Sequence, residues 1–593
     1  MSNPHRYDFG IIGNCSYLSY IDATANVVWQ CWPRFDSSFV FGGLLDKEKG
    51  GYFYIRPAGN SYTSSQQYLE NSNILVTTFK THDGSFQVID AAPRFLEHER
   101  YFKPLVLIRK VVVLSGTPRV QIGCAPTWNY GQGKPKVVQG SNHIEYHGIG
   151  EEVRLTTNVP KTHILEEQPF CLSENKYLVL TYGQSFEAPL ESTCDEFLRK
   201  TKLYWQNWVK RSTIPTLFQE QVIRSGLLLK LHQFDDTGAI IAAGTTSLPE
   251  FPGAGRNWDY RYCWVRDSFY TLEALNYFGH YTELDRYSHF IQDVVQGSVA
   301  HIQPVYQISG RGEINERELP LSGYMGNQPV RLGNAAYTQV QFDIFGQILL
   351  SLLPLYVDAR FLQEASPPVS LVERLLDEID KVMDLPDAGI WELRGQNRKH
   401  AHTYLFHWAG AKAAQKIGKT ISNAALIQRA LRIESQATEY LERCWRPEQG
   451  YYASTMDGDD VDASDLLLII LTYLGRDSPR AKSHLSYLEK HLKAGDSLLY
   501  LYKHQDDFGS PESAFLVCSF WYIETLVCVG RVEDAIKAFD QVRGYSNALG
   551  LFSEDVSPGD FSQWGNCPQT YSHVGLINAA FRIATRLDTP YFF

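Results

Sequence analysis

The sequence predicts two packed parts, an N-terminal antiparallel β-sandwich and a C-terminal (α/α)6 barrel. Three observations lead there. Up to about residue 190, short alternating or apolar runs are separated by clusters of Gly, Asn, Asp and Pro, the pattern of many short strands. Beyond that point about twelve helix-length segments follow, often paired by short turns such as Gly279-His280 and Gly530-Arg531. Several of them, Phe342 to Leu355 and Phe515 to Val529 among them, are apolar over more than half their circumference. A helix apolar nearly all round is buried, so helices in pairs with one member buried form two concentric rings.

Taken in order, strands are expected over residues 10–12, 26–29, 52–55, 73–79, 85–89, 105–114, 119–124, 153–157 and 176–181. The stretch Trp29-Gln30-Cys31-Trp32-Pro33-Arg34-Phe35-Asp36-Ser37 is too aromatic for an exposed loop. It reads first as packing against the second part, and otherwise as a wall of a pocket. From Pro189 to Arg211 the spacing of Phe197, Leu203, Tyr204 and Trp208 turns helical. The parts are therefore expected at 1–188 (sandwich), 189–214 (helical linker) and 215–593 (barrel). Pro215 is expected to open the next helix, since a first-turn residue needs no N–H. The barrel helices are expected over 216–232, 265–279, 281–299, 336–356, 369–384, 402–417, 421–443, 463–475, 479–493, 512–530, 532–543 and 570–587. No identity between helix pairs is visible, so the barrel is not a simple repeat.

Composition narrows the function. The chain has 593 residues with 44% hydrophobic and 20% charged content, an ordinary globular balance. A net charge of -11 argues against a nucleic-acid or anionic-membrane partner. The longest apolar run, Leu466 to Leu471, is too short to span a bilayer. Met1 to Gly13 holds no apolar core of a signal peptide. The ten cysteines include no C-x-x-C pair and read as reduced thiols, so a cytoplasmic protein is expected. No Walker A loop, complete G-x-G-x-x-G or H-E-x-x-H is present. Neither a cofactor nor a catalytic metal is expected, and the oligomeric state is open. Aromatics reach 13%, with 12 Trp and 35 Tyr. They fit a large core or a sugar site equally, since flat rings stack on the apolar faces of pyranoses.

The unusual residues fall in long inter-helix loops, which in a compact domain are usually functional. These loops run over 233–265, 300–335, 386–401 and 549–569. Asn257 to Asp267 packs four aromatics, two arginines and two aspartates into eleven residues. Asp267 could merely cap the next helix. A cap, however, does not need Trp258, Tyr260, Tyr262 and Trp264 beside it, and the density fits a pocket floor in which Arg266 and Asp267 grip hydroxyls. In the second loop Tyr324, Arg331 and Asn334 line either a distal subsite or an ordered surface loop. The third loop carries Gly389-Ile390-Trp391-Glu392-Leu393-Arg394-Gly395. An apolar wall of indole and aliphatic side chain would keep Glu392 protonated, as a general acid requires. The alternative is a surface turn with a capping Glu. In the fourth loop, Glu554 by itself is a solvated loop acid. Opposite Glu392 across one rim, it would complete the two carboxylates of a glycosidase.

Together these stretches carry a resemblance. Trp258 to Asp267, Trp391-Glu392 with Arg394-Gly395, and Ser553-Glu554-Asp555 followed by Gly565-Asn566 and Pro568-Gln569 resemble, in the right order, the signature of the glucoamylase-like glycoside hydrolase family 15. Trp29 to Ser37, Thr237 to Ile240 and Thr245 to Pro249 resemble its bacterial branch. The resemblance implies an inverting exo-hydrolase that releases β-glucose from the non-reducing ends of α-glucans or gluco-oligosaccharides. Position by position it makes Glu392 the general acid and Glu554 the general base. The candidate substrate contacts are Trp258, Tyr260, Trp264, Arg266, Asp267 and Trp391, with Tyr324 and Arg331 further out. Asp555 stands where fungal members have Gln, and no starch-binding domain is evident. The branch also contains trehalases and α-1,6-specific enzymes of the isomaltose and dextran type, so those are the alternative activities. Two rivals differ in class. A phosphorylase on a similar plan would dispense with Glu554, and a non-catalytic carbohydrate-sensing protein could lose either glutamate.

Overall fold

The computed structural model describes residues 4–148, 150–298, 302–360 and 366–587. The expected end of one helix at residue 299, the start of the second long loop at 300–301 and both chain ends lie outside the described residues.

The N-terminal part is a two-layer antiparallel sandwich. One layer is an eight-stranded sheet in the order Lys136–Gln139, His143–His147, Val153–Thr157, Lys176–Tyr182, Val106–Gly116, Gly84–Ala91, Leu75–Thr81, Tyr62–Tyr68. The other combines a four-stranded sheet (Phe9–Gly13, Leu18–Asp22, Val27–Cys31, Phe39–Phe41) with a three-stranded one (Phe170–Cys171, Arg119–Ala125, Tyr52–Pro57). Inward-facing Ile12, Phe53, Ile55, Leu75, Phe79, Val88, Val111, Ile122 and Leu178 fill the space between them. Arg109 crosses that space. Fully buried, it pairs with Asp90 at 2.7 Å and donates to Phe53 O at 2.6 Å and Ala25 O at 2.7 Å. All the expected strands form. Those not anticipated include the edge strands Tyr62–Tyr68 and Lys136–Gln139. They escape because solvent covers much of an edge strand, so one keeps alternate polar residues and the other is exposed throughout.

A short helix α1 (Lys161–Leu165) precedes the connecting helix α2 (Leu190–Lys210). The barrel helices follow: α3 (Gln219–His232), α4 (Val265–Phe278), α5 (Tyr281–Gly297), α6 (Asp343–Val357), α7 (Val369–Val382), α8 (Ala401–Thr420), α9 (Ala424–Arg443), α10 (Leu467–Ile470), α11 (Pro479–Leu492), α12 (Leu516–Cys528), α13 (Val532–Arg543) and α14 (Thr570–Arg586). The even-numbered helices from α4 onward follow one another round a ring, α8 meeting the 3-10 turn Ala463–Leu466 that leads into α10, and α14 closes on α4. They form an inner ring, and the odd-numbered helices form the outer one. Outer helices bury a single stripe, as α9 does with Leu426, Ala430, Ile433, Ala437 and Leu441. Inner α12 is buried along its whole length. Outer α3 is the exception, buried from Ser225 to His232 because the sandwich lies on it.

Four expected boundaries change, the first being the helix expected over 512–530, which begins at Leu516 because Ala514–Phe515 pairs as a strand. Pro215 does not open α3, which begins at Gln219 after Phe218 turns into the left-handed region (φ 59°). The helix expected over 336–356 starts only at Asp343, because Asn334 caps a separate 3-10 turn, Ala335–Thr338, and Asp387 then takes the N–H of Phe342. The helix expected over 463–475 is a capped 3-10 turn running into α10 and ends by Leu471, with Thr472 left-handed (φ 65°). Each long connection leads from an outer helix into the next inner one, and 444–462 and 493–515 belong to the same set. Among the described residues, no helix is long and apolar enough to cross a membrane.

Candidate active site

In residues 257–264, Asp259 bridges to Thr246 and Cys263–Trp264 is a short strand leading into α4, and the side chains divide between two sides. Trp258, Tyr260 and Trp264 line a cavity at the mouth of the barrel. Asp259 and Arg261 face away from it, fully buried and paired at 2.7 Å. Arg261 also donates to Ser37 O at 2.8 Å. The same stretch therefore supplies both the wall of the cavity and a tie to the sandwich. The aromatic run Trp29 to Ser37 belongs to that tie. Trp29 Nε1 donates to Gly244 O at 2.8 Å and Phe35 meets Phe234, and none of the run lines the cavity.

Glu392 and Glu554 line that same cavity. Glu392 sits in a tight turn at φ 58°, a left-handed conformation uncommon for a non-glycine residue. Its Oε1 accepts from Trp264 Nε1 at 2.8 Å, Arg266 Nη2 at 3.2 Å and Gln341 Nε2 at 3.3 Å. Its setting is thus a ring of donors rather than the apolar wall expected from Trp391 and Leu393. Trp391 lines the cavity but packs on Tyr502, Phe515 and Trp521.

Glu554 is buried. Its Oε1 accepts from Tyr260 Oη at 2.6 Å and its Oε2 from Asn566 N at 3.3 Å. Tyr260 and Trp264 touch edge to face, 5.5 Å between ring centres, so one aromatic pair links the two carboxylates. Burial holds the Glu554 carboxyl well above its usual range, and the neighbouring Glu250 and Asp555 add to the effect. Burial likewise raises Asp555, which accepts from Ser513 Oγ at 3.0 Å.

Arg266 and Asp267 occupy the first turn of α4 and line the floor. The N-cap position is Trp264 rather than Asp267, and it makes no side-chain cap bond. Arg266 donates to Ile390 O at 2.7 Å, while its Nε and Asp267 Oδ1, 3.5 Å apart, are both buried without a hydrogen-bond partner. Buried polar atoms without a partner are rare in folded proteins and call for a specific reason, a catalytic role among them. Burial pushes Asp267 up to about 6, against the pull of Arg266, with Glu392 adding to the rise.

Two candidates lie outside the cavity lining. Tyr324 bonds His5 Nε2 at 2.9 Å and packs by Tyr7. Arg331 holds the loop from behind, donating to Gly255 O and Asn257 O, with its guanidinium 4.6 Å from the Trp258 ring centre. Glu250, Arg256, Asp506, Phe508 and Tyr571 line the cavity without having been singled out by the sequence. Burial pushes Glu250 up to about 7 despite nearby Arg256 and a 2.7 Å bond from Trp258 Nε1. The meeting of Glu250 and Asp506 with Arg256 depends on loops brought together in space. Among the described residues, Glu145, His147 and Glu152 on the sandwich are grouped closely enough to hold a metal ion, and they lie outside the cavity lining.

Residues 218–581 match the family model described as glycosyl hydrolases family 15, and residues 6–170 the one described as trehalase-like, N-terminal. The trehalase of Thermoplasma acidophilum is 31% identical over 582 residues, covering 95% of this chain and 97% of that one. Trehalase 1 of Sulfolobus acidocaldarius is 31% identical, covering 96% and 97%. The trehalase of Mycobacterium tuberculosis is 31% identical, covering 98% and 91%. In three dimensions the chain resembles a bacterial glucoamylase solved with acarbose, at a TM-score of 0.68 and 15% identity over 98% of this chain and 95% of that one, a likeness of fold.

Proposed function

The chain belongs to glycosyl hydrolases family 15, and from that premise we propose that it hydrolyses trehalose to two glucose molecules by a single displacement with inversion. The chemistry rests on one observation: Glu392 and Glu554 line one cavity and are linked through Trp264 and Tyr260. The substrate rests on the likeness, along nearly the whole chain, to proteins named trehalase. That likeness replaces the expectation of a glucoamylase acting on α-1,4-glucan.

In this reading Glu392 is the general acid. Its three side-chain donors converge on Oε1, so Oε2 carries the proton to the glycosidic oxygen. Glu554 is the general base and takes a proton from water on the opposite face of the sugar. Room for that water requires carboxyls about 6.5–9.5 Å apart. Arg266 and Asp267 bind hydroxyls of the terminal glucose, and Trp258, Tyr260, Trp264 and Trp391 exclude solvent from the oxocarbenium-like transition state. No cofactor enters. We place the reaction in the cytoplasm, a proposal supported by ten free thiols of which only Cys171 is exposed.

The test is glucose release from trehalose, maltose, isomaltose, maltodextrin and dextran, with proton NMR in the first minutes. Trehalose is the expected substrate. Inversion gives α- and β-glucose in equal amounts, because the leaving glucose keeps its α centre, whereas retention gives α-glucose alone. Preference for maltodextrin would restore the glucoamylase reading, and preference for isomaltose or dextran an α-1,6 activity.

A further inference from the structure

Inner helices α4 and α12 are not neighbours in the ring, since α14 stands between them. The loops that enter them are nevertheless joined. Arg256 Nη2, from the loop before α4, donates to Asp506 Oδ1 at 2.6 Å and to Gly509 O at 2.8 Å, both in the loop before α12. The loop before α14, the helix that stands between them, carries Glu554. Asp506 also organises its own loop. Oδ1 accepts from Phe508 N at 2.7 Å, Oδ2 accepts from Tyr502 Oη, and the Asp506 and Gly509 backbones pair in a tight hairpin. The tip of that hairpin presents Phe508. Its ring lies edge-on to Trp258, 5.2 Å between centres, and the guanidiniums of Arg256 and Arg394 each lie 5.6 Å from it. Arg394 comes from the Glu392 loop, so loops entering three different inner helices meet at one phenylalanine.

Trp258, Phe508, Arg394 and Asp506 line the cavity together with Asp267 and Tyr571. Asp267 and Tyr571 stand on helices and form the floor, whereas Phe508 and Arg394 stand on loop tips and form the outer wall. We propose that residues 502–509 are a strap across the leaving-group side of the cavity, held shut by Arg256–Asp506 and filled by Phe508, which limits the substrate to two sugar units. A third sugar would have to displace Phe508 from Trp258 and separate the Asp506 and Arg256 charges, 7% and 10% exposed, and such repulsive elements contribute to discrimination. The proposal rests on the hydrolytic reading above and gives it a specificity determinant.

The test compares kcat/KM for trehalose with that for trehalose extended by one α-1,4-linked glucose on one of its two sugars. The native protein should prefer trehalose by on the order of 100-fold or more, a ratio attainable by excluding a group that has no room. Phe508→Ala and Asp506→Ala should each bring the ratio below about tenfold, mainly by raising kcat/KM for the longer sugar. Asp506→Ala could lose the folded loop, and Phe508→Ala, which keeps both members of the Arg256–Asp506 pair and the backbone N–H that Asp506 accepts, then decides the matter. An unchanged ratio in folded Phe508→Ala, or a native protein that cleaves both sugars equally, overturns the strap. If trehalose is not cleaved at all, the trehalase reading fails, and the strap is tested by the same ratio for maltose against maltotriose.

Discussion

Glu554 is surrounded by groups that resist its ionisation. Burial comes first, then Glu250 and Asp555, and only Tyr260 Oη and one backbone N–H favour the charge. A base must be ionised to act, so the acid limb of kcat/KM is expected above the ordinary carboxylate range. Glu250→Gln keeps an oxygen for Trp258 Nε1 but removes a negative charge, which lowers the Glu554 pKa. The acid limb should therefore move to lower pH, and a limb that stays in place would show that Glu250 does not set the charge of Glu554. Glu392→Gln and Glu554→Gln should each lower kcat by about 10²–10⁴-fold with thermal unfolding unchanged. A variant that keeps near-native kcat removes that residue from the mechanism.

At the scale of elements, the loop before α14 shows how backbone positions a side chain. Asp555–Val556 pairs with Gln563–Trp564 on one side and Ala514–Phe515 on the other. Gly565 then turns at φ 76°, where a Cβ would lie 2.5 Å from Glu554 Cβ and 2.7 Å from its Oε2. Gly565→Ala should push the carboxylate out of place. A displacement of 1 Å at a reacting group can cost about 10²-fold, so kcat should fall by at least that factor while circular dichroism is preserved. Near-native kcat in this variant would mean that the loop has slack that the hydrogen bonds do not suggest.

For the whole molecule, the 257–264 stretch couples sandwich to barrel. Arg261 reaches Ser37 O and Cys31 Sγ in the sandwich, and Asp259 neutralises it while accepting Gly333 N at 3.1 Å. Asp259→Ala would leave a fully buried guanidinium unpaired, at a cost of about 3–5 kcal/mol. It should lower the unfolding midpoint, and it should also lower activity in the folded fraction, because Trp258 and Tyr260 flank the altered residue. Loss of stability with native kinetics would separate the tie from the cavity wall.

The sequence by itself determined the two architectures, the linker helix and four of the loops around the candidate site, but not the 493–515 loop that supplies Tyr502, Asp506 and Phe508. Those features are local: strand alternation, helical periodicity and aromatic density are written within a dozen residues. The paired carboxylates Glu392 and Glu554 were legible only through ordered motifs and a family resemblance, since an interval of residues carries no distance. Tertiary structure decided the rest. Nothing near Glu392 in the chain announces that Trp264, Arg266 and Gln341 meet its Oε1. Tyr324 and Arg331, both in a long loop, turn to the sandwich and to the back of Trp258. Glu250, Arg256, Asp506 and Phe508 read as ordinary loop residues until ring closure sets the loops before α4, α8 and α12 around one mouth. The physical reason is that charge pairing and exclusion of a third sugar depend on distances between segments about 250 residues apart (|i−j| = 250 for Arg256 and Asp506), and those distances exist only once the inner helices close their ring.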